Sequence, residues 1–345
     1  MKKALITGIT GQDGSYLAEF LLTKGYEVHG VRRKNSTDNT INLDNILNSK
    51  KISDNRFFLH YGDITDTTSL IDILSKNKFD EIYHLAAQSH VHTSFLIPEY
   101  TTSVNALGSM KILEVLKKFS PESKFYNAST SELYGKVLEP VQNEKTPFNP
   151  VSPYSISKLF CHLMTKNYKE AYGMFACSGI LFNHESPRRG LSFVSRKITQ
   201  SVCKIKLGLE EKLTLGNLYS KRDWGYAKEY VEAMWLMLQN KAPTDYVIGT
   251  GKNYSIKDFV EKSFNQLGIN LIWEGSGLHE VAIDKDKNKV VVDIDKYYYR
   301  PAEVDELLAD PLKAKNDLKW SHKTDFNKLV SMMIENDYNF FKKIN

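Results

Sequence analysis

A doubly wound α/β fold, with helices on both faces of a parallel sheet, is the fold class that the sequence predicts. Short apolar runs alternate with helical patterns through the first half of the chain, which is typical of crossover units in a parallel sheet. A glycine-rich turn joins the first strand to the first helix. The second half breaks the alternation, and we therefore expect a smaller α/β lobe at the C-terminal side.

Seven apolar runs predict the strands of the sheet, and the right-handed crossover rule makes this sheet doubly wound. The strands are placed at residues 4–7, 27–31, 57–61, 81–85, 124–128, 175–181 and 246–248. Apolar residues at helical spacing predict a helix through 16–22 and another over 106–119. Residues 34–50 are polar and predict a loop.

The chain length of 345 residues suggests roughly two domains. We expect one domain, containing the main sheet, from residues 1–183 plus about 218–250. The smaller lobe is expected from about 184–217 plus 251–345, where arginines, glycines and prolines cluster.

Composition excludes several classes of protein. Hydrophobic residues make up 41% and charged residues 25%, as in ordinary globular proteins, and the net charge is +5 without a polybasic block. We therefore expect no nucleic-acid partner, and no apolar run predicts a membrane helix. Cys161, Cys177 and Cys203 are too few for a disulfide framework and lack metal-ligand spacing, which favours a cytoplasmic protein without a metal.

The glycine-rich turn runs Gly8-Ile9-Thr10-Gly11-Gln12-Asp13-Gly14, with glycines at intervals of three. Such a turn lets a pyrophosphate approach the N-terminus of the following helix, where free N–H groups favour anions. The alternative is a plain glycine turn. Its position in the first strand–turn–helix unit favours dinucleotide binding in a Rossmann domain.

The ends of the next strands indicate which dinucleotide binds. A carboxylate is expected after the second strand where the ribose 2′-hydroxyl is free, but here Arg32 and Arg33 are present. Cations favour a 2′-phosphate, and hence NADP over NAD, although a solvated basic loop is the alternative. Asp63-Ile64 and 85–89 follow the third and fourth strands, where this fold places ligands.

Tyr154 and Lys158 are four residues apart after Pro153, a signal for the start of a helix. A lysine ammonium on the same helical face would lower the pKa of the phenol, so that Tyr154 could take a hydroxyl proton during hydride transfer. A hydroxyl cluster over 127–135 follows the fifth strand. The pair alone often arises by chance, but its combination with the glycine turn is specific.

This combination resembles the extended short-chain dehydrogenase/reductase family. Within it, the chain is similar to the GDP-mannose 4,6-dehydratase family in segments that span nearly the whole sequence. The motifs that carry this resemblance are Thr7–Glu19, Ala128–Gly135, Asn183–Gly190, Lys221–Gly225, Tyr230–Trp235 and Arg300–Asp305.

The resemblance implies that four residues are catalytic. Tyr154 would take the proton of the sugar 4-hydroxyl, Thr130 would hydrogen-bond the 4-oxygen, and Lys158 would tune Tyr154 and hold a ribose hydroxyl. Glu132 would act as the base at C5 and assist loss of water from C6. An epimerase performs no elimination, so Glu132 distinguishes the two reactions.

The resemblance also implies ligand contacts. The residues expected to bind the cofactor are Gly8, Ile9, Thr10, Gly11, Gln12, Asp13, Arg32, Arg33, Asn35, Ser36, Asp63, Ile64, Leu85, Gln88, Ser89, Tyr100, Tyr154, Lys158, His184 and Arg189. The residues expected to bind the substrate are Ser89, Asn183, Lys197, Arg222, Arg300 and Glu303.

The activity implied is an NADP-dependent GDP-mannose 4,6-dehydratase, a lyase that forms GDP-4-keto-6-deoxy-mannose. The alternatives are the same dehydration of GDP-manno-heptose, a nucleotide-sugar epimerase or dehydrogenase of the same fold, and a catalytically silent NADP-binding protein. The resemblance further implies a homo-oligomer, either a tetramer or a dimer.

Overall fold

Seven parallel strands form the main sheet of the computed structural model, which describes residues 1–37, 39–49, 55–299 and 302–344. The strand order is β11-β6-β5-β4-β1-β2-β3. These strands are β1 (Lys3–Thr7), β2 (Glu27–Arg32), β3 (Phe57–Tyr61), β4 (Glu81–His84), β5 (Lys124–Thr130), β6 (Ala176–Leu181) and β11 (Tyr246–Ile248). All neighbours pair in parallel, which confirms the predicted doubly wound α/β class with a Rossmann-type sheet.

Helices cover both faces of this sheet. They are α1 (Gln12–Thr23), α2 (Asp44–Leu47), α3 (Thr67–Lys76), α4 (Val91–Leu96), α5 (Pro98–Thr102), α6 (Gly108–Phe119), α7 (Pro153–Tyr172) and α9 (Ala227–Gln239). Helices α1 and α9 pack on one face, and α3, α6 and α7 pack on the other. The central strands β4 and β6 are buried along their whole length, as expected for parallel strands that helices cover on both faces.

A second hydrophobic cluster lies outside the main sheet. It is formed by α8 (Val194–Lys206), α10 (Ile256–Gln266), α12 (Phe326–Ile344) and a four-stranded sheet in the order β13-β14-β15-β8. These strands are β8 (Leu213–Leu215), β13 (Leu271–Glu274), β14 (Val281–Asp284) and β15 (Lys289–Ile294). The remaining elements are β7 (Asn183–Glu185), β9 (Lys221–Arg222), β10 (Trp224–Tyr226), β12 (Tyr254–Ser255) and α11 (Leu312–Leu318). Strand β7 pairs with β10, and β9 with β12.

Two local predictions were wrong. The helix predicted to start at residue 106 starts at Gly108, because residues Ser103–Leu107 form a π-helical turn. The predicted loop over 34–50 contains a 3₁₀ turn at Ile41–Leu43 followed by α2. Leu43 is fully buried and anchors this turn against the core, an apolar contact that tertiary packing supplies.

All three cysteines are buried and free. Of the helices within the described parts of the chain, none is long and apolar enough to cross a membrane.

Candidate active site

A cleft of about 920 Å³ opens at the carboxyl ends of the main-sheet strands and extends to the second cluster. Of the residues predicted from the sequence, those that line it are Gly8, Thr10, Gly11, Gln12, Asp13, Arg32, Arg33, Asp63, Ile64, Leu85, Gln88, Ser89, Tyr100, Thr130, Glu132, Tyr154, Lys158, Asn183, His184, Arg189, Lys197, Arg222 and Glu303. Residues separated by more than 290 positions in the chain therefore face one cavity.

Four predicted residues are not among the lining residues. Ile9 is fully buried beneath the turn, and its side chain would lie 2.2 Å from a Cβ added at Gly30, so it packs against β2. Asn35 and Ser36 are exposed beyond the rim. Arg300 lies outside the described residues.

The glycine turn fits a dinucleotide pyrophosphate. Gly8 has a φ of +74°, and a Cβ there would lie 2.9 Å from Ala86 Cα. A Cβ at Gly14 would lie 2.4 Å from the carbonyl oxygen of Gly8. Helix α1 begins after Gly11 without a side-chain cap, so its first N–H groups point towards the cleft free of a capping side chain.

Two arginines lie where the adenosine end of such a ligand would bind. Arg32 donates a hydrogen bond to the Tyr61 hydroxyl at 2.7 Å, and Arg33 donates one to the Tyr100 hydroxyl at 2.9 Å. The Arg32 guanidinium also stacks 4.8 Å from the centre of the Tyr61 ring. The aromatic partners hold both guanidinium groups at the cleft, and the planar shape of these groups suits an anion.

Thr130 and Tyr154 meet because β5 ends beside the start of α7. Ser152 caps α7 in a reciprocal capping box with Ser155, which fixes Tyr154 in the first turn. Burial raises the pKa of Tyr154 to about 12, although a hydrogen bond with Thr130 lowers it. The depressed pKa expected from Lys158 is therefore wrong, because desolvation dominates.

Lys158 lies one turn after Tyr154 on the same face of α7 and is 5% exposed. Burial lowers the pKa of this ammonium group, and the nearby Cys161 thiol opposes the shift. A buried ammonium aimed into a cleft is suited to hydrogen-bond a polar ligand group there.

Glu132 lies in a 3₁₀ turn at the end of β5 and is 8% exposed. Its backbone N–H donates to Thr130 Oγ1 at 3.2 Å. The Nε atom of Arg222 lies 3.9 Å from Glu132 Oε1, and Nη2 of the same guanidinium lies 3.4 Å from Glu303 Oε1. One buried guanidinium therefore lies between two carboxylates at the lobe side of the cleft and offsets part of their charge.

His184 connects the segment after β6 to the glycine turn. Its Nε2 lies 2.7 Å from Asp13 Oδ2, and its Nδ1 lies 2.7 Å from the carbonyl oxygen of Phe182. Gln12 reinforces the connection by donating to the His184 carbonyl oxygen at 3.0 Å and accepting from the Ser186 hydroxyl at 2.7 Å. These contacts close the cleft over the start of α1.

Sequence reasoning missed part of the lobe side of the cleft. Leu215, Gly216 and Asn217 line it after β8, and Tyr298 faces them. A Cβ at Gly216 would lie 2.6 Å from the Tyr298 carbonyl oxygen, so this close approach requires glycine. The Gly-Asn pair after a short strand was the available signal. The Tyr298 ring also stacks 3.4 Å from the Lys197 ammonium.

Within the described residues, no three His, Cys, Asp or Glu side chains are grouped so that they could hold a metal ion.

Comparison with solved structures agrees with the architecture. The chain superposes on Pal from Bacillus thuringiensis with a TM-score of 0.81 and 22% identity, covering 99% of this chain and 100% of that one. It superposes on dTDP-glucose 4,6-dehydratase from Bacillus anthracis, solved in complex with NAD, with a TM-score of 0.80 and 20% identity, covering 100% and 98%. At these identities the similarity shows the fold alone.

Comparison of sequences is more specific. The profile of the GDP-mannose 4,6 dehydratase family matches residues 5–333. The chain is 51% identical to GDP-mannose 4,6-dehydratase of Vibrio cholerae over 97% of this chain and 94% of that protein. It is 53% identical to GDP-mannose 4,6 dehydratase of Homo sapiens over 97% and 91%. The chain therefore belongs to the GDP-mannose 4,6-dehydratase family.

Proposed function

We propose that this protein is an NADP-dependent GDP-mannose 4,6-dehydratase. The observation that carries the proposal is the convergence of Thr130, Glu132, Tyr154 and Lys158 on the cleft that begins at the glycine turn. Relatives of the same name at 51–53% identity support the substrate and the reaction.

When bound, NADP would accept a hydride from C4 of the sugar and return it to C6. Tyr154 would take the proton of the 4-hydroxyl, and Thr130 would hydrogen-bond the same oxygen. Lys158 would hold a ribose hydroxyl and stabilise the phenolate.

Glu132 is the proposed base at C5. Oxidation at C4 makes the C5 hydrogen acidic, so that the Glu132 carboxylate can remove this proton and then give it to the C6 hydroxyl, which leaves as water. Glu132 lies two residues beyond Thr130, which brings the base beside the group that holds the 4-oxygen.

Arg222 and Lys197 are proposed to bind the GDP pyrophosphate, and Asn183, Glu303 and Ser89 the sugar and nucleoside. The guanidinium offers a planar fork suited to phosphate oxygens. We also propose that 1–183 plus about 218–250 binds the cofactor and that about 184–217 plus 251–345 binds the nucleotide sugar, in a cytoplasmic homo-oligomer. Most members of the two hydrophobic clusters support this division, but Ala314, Leu318 and Trp320 pack in the main-sheet cluster, and Leu218 and Trp224 pack in the second one.

The deciding experiment is mass spectrometry of products after incubation with GDP-mannose and, separately, with GDP-manno-heptose. Loss of about 18 mass units, one water, from GDP-mannose is expected without consumption of added cofactor. Loss of water from GDP-manno-heptose alone would instead identify GDP-manno-heptose as the substrate. An isomer of unchanged mass would instead identify an epimerase.

A second measurement tests the path of the hydride. Deuterium placed at C4 of the nucleotide sugar should be recovered at C6 of the product. Its complete loss to solvent or to free cofactor would contradict the proposed reaction.

A further inference from the structure

His184 carries hydrogen on both ring nitrogens. The carbonyl oxygen of Phe182 can only accept a hydrogen bond, so Nδ1 must donate to it at 2.7 Å. The Asp13 carboxylate also accepts, so Nε2 must donate to it at 2.7 Å. An imidazole that donates from both nitrogens is an imidazolium, and His184 and Asp13 therefore form an ion pair.

The Asp13–His184 ion pair lies beside the site proposed for the pyrophosphate of the dinucleotide. Asp13 lies in the first turn of α1 and lines the cleft beside the glycine turn. A carboxylate there would repel a pyrophosphate at the N-terminus of the same helix, where the helix dipole attracts anions.

Other charges near the pair do not replace the imidazolium. Arg189 acts on both Asp13 and His184, but its Nε lies 3.1 Å from Glu185 Oε2, so that a carboxylate of its own segment compensates it. On the side of α9, the Tyr230 ring stacks on His184 with centroids 4.6 Å apart, and a buried phenol adds no cation.

We propose that His184 is a positioning residue that neutralises Asp13, so that the pyrophosphate of the dinucleotide binds beside an ion pair with no net charge. This inference rests on the proposed function, because it concerns binding of the cofactor. It assigns to His184 an electrostatic role exerted through Asp13. The shifts agree with it: burial alone would lower the pKa of His184, but the charge and hydrogen bond of Asp13 raise it.

Calorimetric titration with NADP⁺ at low salt tests the proposal on the wild type and on H184Q, D13N and the double variant. H184Q should bind roughly tenfold more weakly, the order expected for one unit charge near an anion in a partly solvated cleft. The double variant should recover to within about threefold of the wild type, because the repelling carboxylate is also gone. A double variant as weak as H184Q, or an H184Q that binds like the wild type, would overturn the proposal.

The pH dependence gives a readout that a merely structural contact would not move. Above about pH 6.5, NADP⁺ affinity of the wild type should fall as His184 loses its proton, and D13N should lack this fall. Titration of the ligand phosphate is common to all variants and cancels in the ratio. A fall of equal size in D13N would contradict the role of Asp13.

A matched control is available in the same domain. His29 Nε2 lies 2.8 Å from Glu27 Oε1, and both side chains are largely buried, but neither lines the cleft. H29Q should leave NADP⁺ affinity unchanged. A wild type that binds neither NADP⁺ nor NAD⁺ would contradict the proposed function itself, a result distinct from binding that is insensitive to H184Q.

Discussion

Arg222 holds its Nε atom 3.9 Å from Oε1 of Glu132 at the floor of the cleft. Nη1 of the same guanidinium donates to the carbonyl oxygen of Val304 at 2.8 Å, which fixes its plane. The residue proposed to bind phosphate is therefore adjacent to the residue proposed to remove the C5 proton. A bound pyrophosphate and the elimination step would share this cation, which links substrate binding to the chemistry.

Replacement of Glu132 by Gln should reduce dehydration by about 10²- to 10⁴-fold, the usual contribution of a positioned general base. The amide keeps the size of the side chain but cannot accept the C5 proton. Product mass after incubation with GDP-mannose measures the effect. E280Q is the control, since Glu280 is buried and paired with Lys257 at 2.8 Å outside the cleft. Undiminished loss of water in E132Q would require a different base.

Replacement of Thr130 by Val should shift the rising limb of the pH–rate profile to higher pH. The hydrogen bond from Thr130 lowers the pKa of Tyr154, so its removal raises that pKa and leaves less phenolate at any given pH. A rise of one unit in the pKa of Tyr154 reduces the rate about tenfold at neutral pH. T130S should restore most of the activity because it keeps the hydroxyl. If the rising limb of the T130V profile is not shifted, Thr130 does not influence the pKa of Tyr154.

The double variant R32Q/R33Q should lose its preference for NADP over NAD. Charge-assisted hydrogen bonds contribute about 1.5–3 kcal/mol each, so the loss of two should lower the affinity for NADP by about 10²-fold to 10⁴-fold. NAD lacks the 2′-phosphate and serves as the internal control, since its affinity should change little. Equal weakening of both cofactors would instead indicate that the arginines act through the fold of the loop near Tyr61 and Tyr100.

Acid should destabilise the protein through His84. The Ser109 hydroxyl donates to the Asn105 carbonyl oxygen at 2.5 Å and therefore accepts from His84 Nε2 at 2.9 Å, which leaves Nδ1 to accept from Thr7. This ring is neutral, because burial and then the Lys158 charge lower the pKa of His84 to about 3. Below about pH 6.5, His84 binds a proton in the unfolded chain but stays neutral in the folded protein.

The free energy of unfolding should therefore fall by about 1.4 kcal/mol per pH unit from this group as pH decreases from about 6.5 towards about 3. Urea unfolding at about pH 7 and about pH 5 measures the change, and H84Q should show a smaller decrease. H279Q is the control because His279 is exposed. An H84Q variant with the same acid sensitivity as the wild type would show that other groups dominate.

The sequence by itself determined the sheet, the glycine turn, the pair Tyr154–Lys158 and the family. Those features are local: apolar runs, turn glycines and one helical spacing follow from backbone geometry over a few residues. The element boundaries predicted from the sequence were wrong at 103–107 and at 41–47. At 41–47, buried contacts such as those of Leu43 decide the path of the backbone.

Only the tertiary structure decided what surrounds each charge. The contact of Arg222 with Glu132 spans 90 positions of the chain, and that of His184 with Asp13 spans 171 positions. No local sequence pattern predicts either contact. The raised pKa of Tyr154 is of the same kind, because desolvation depends on every element packed around the phenol. Spacing along a helix places two side chains on one face, whereas the energy of a buried charge is set by the whole fold.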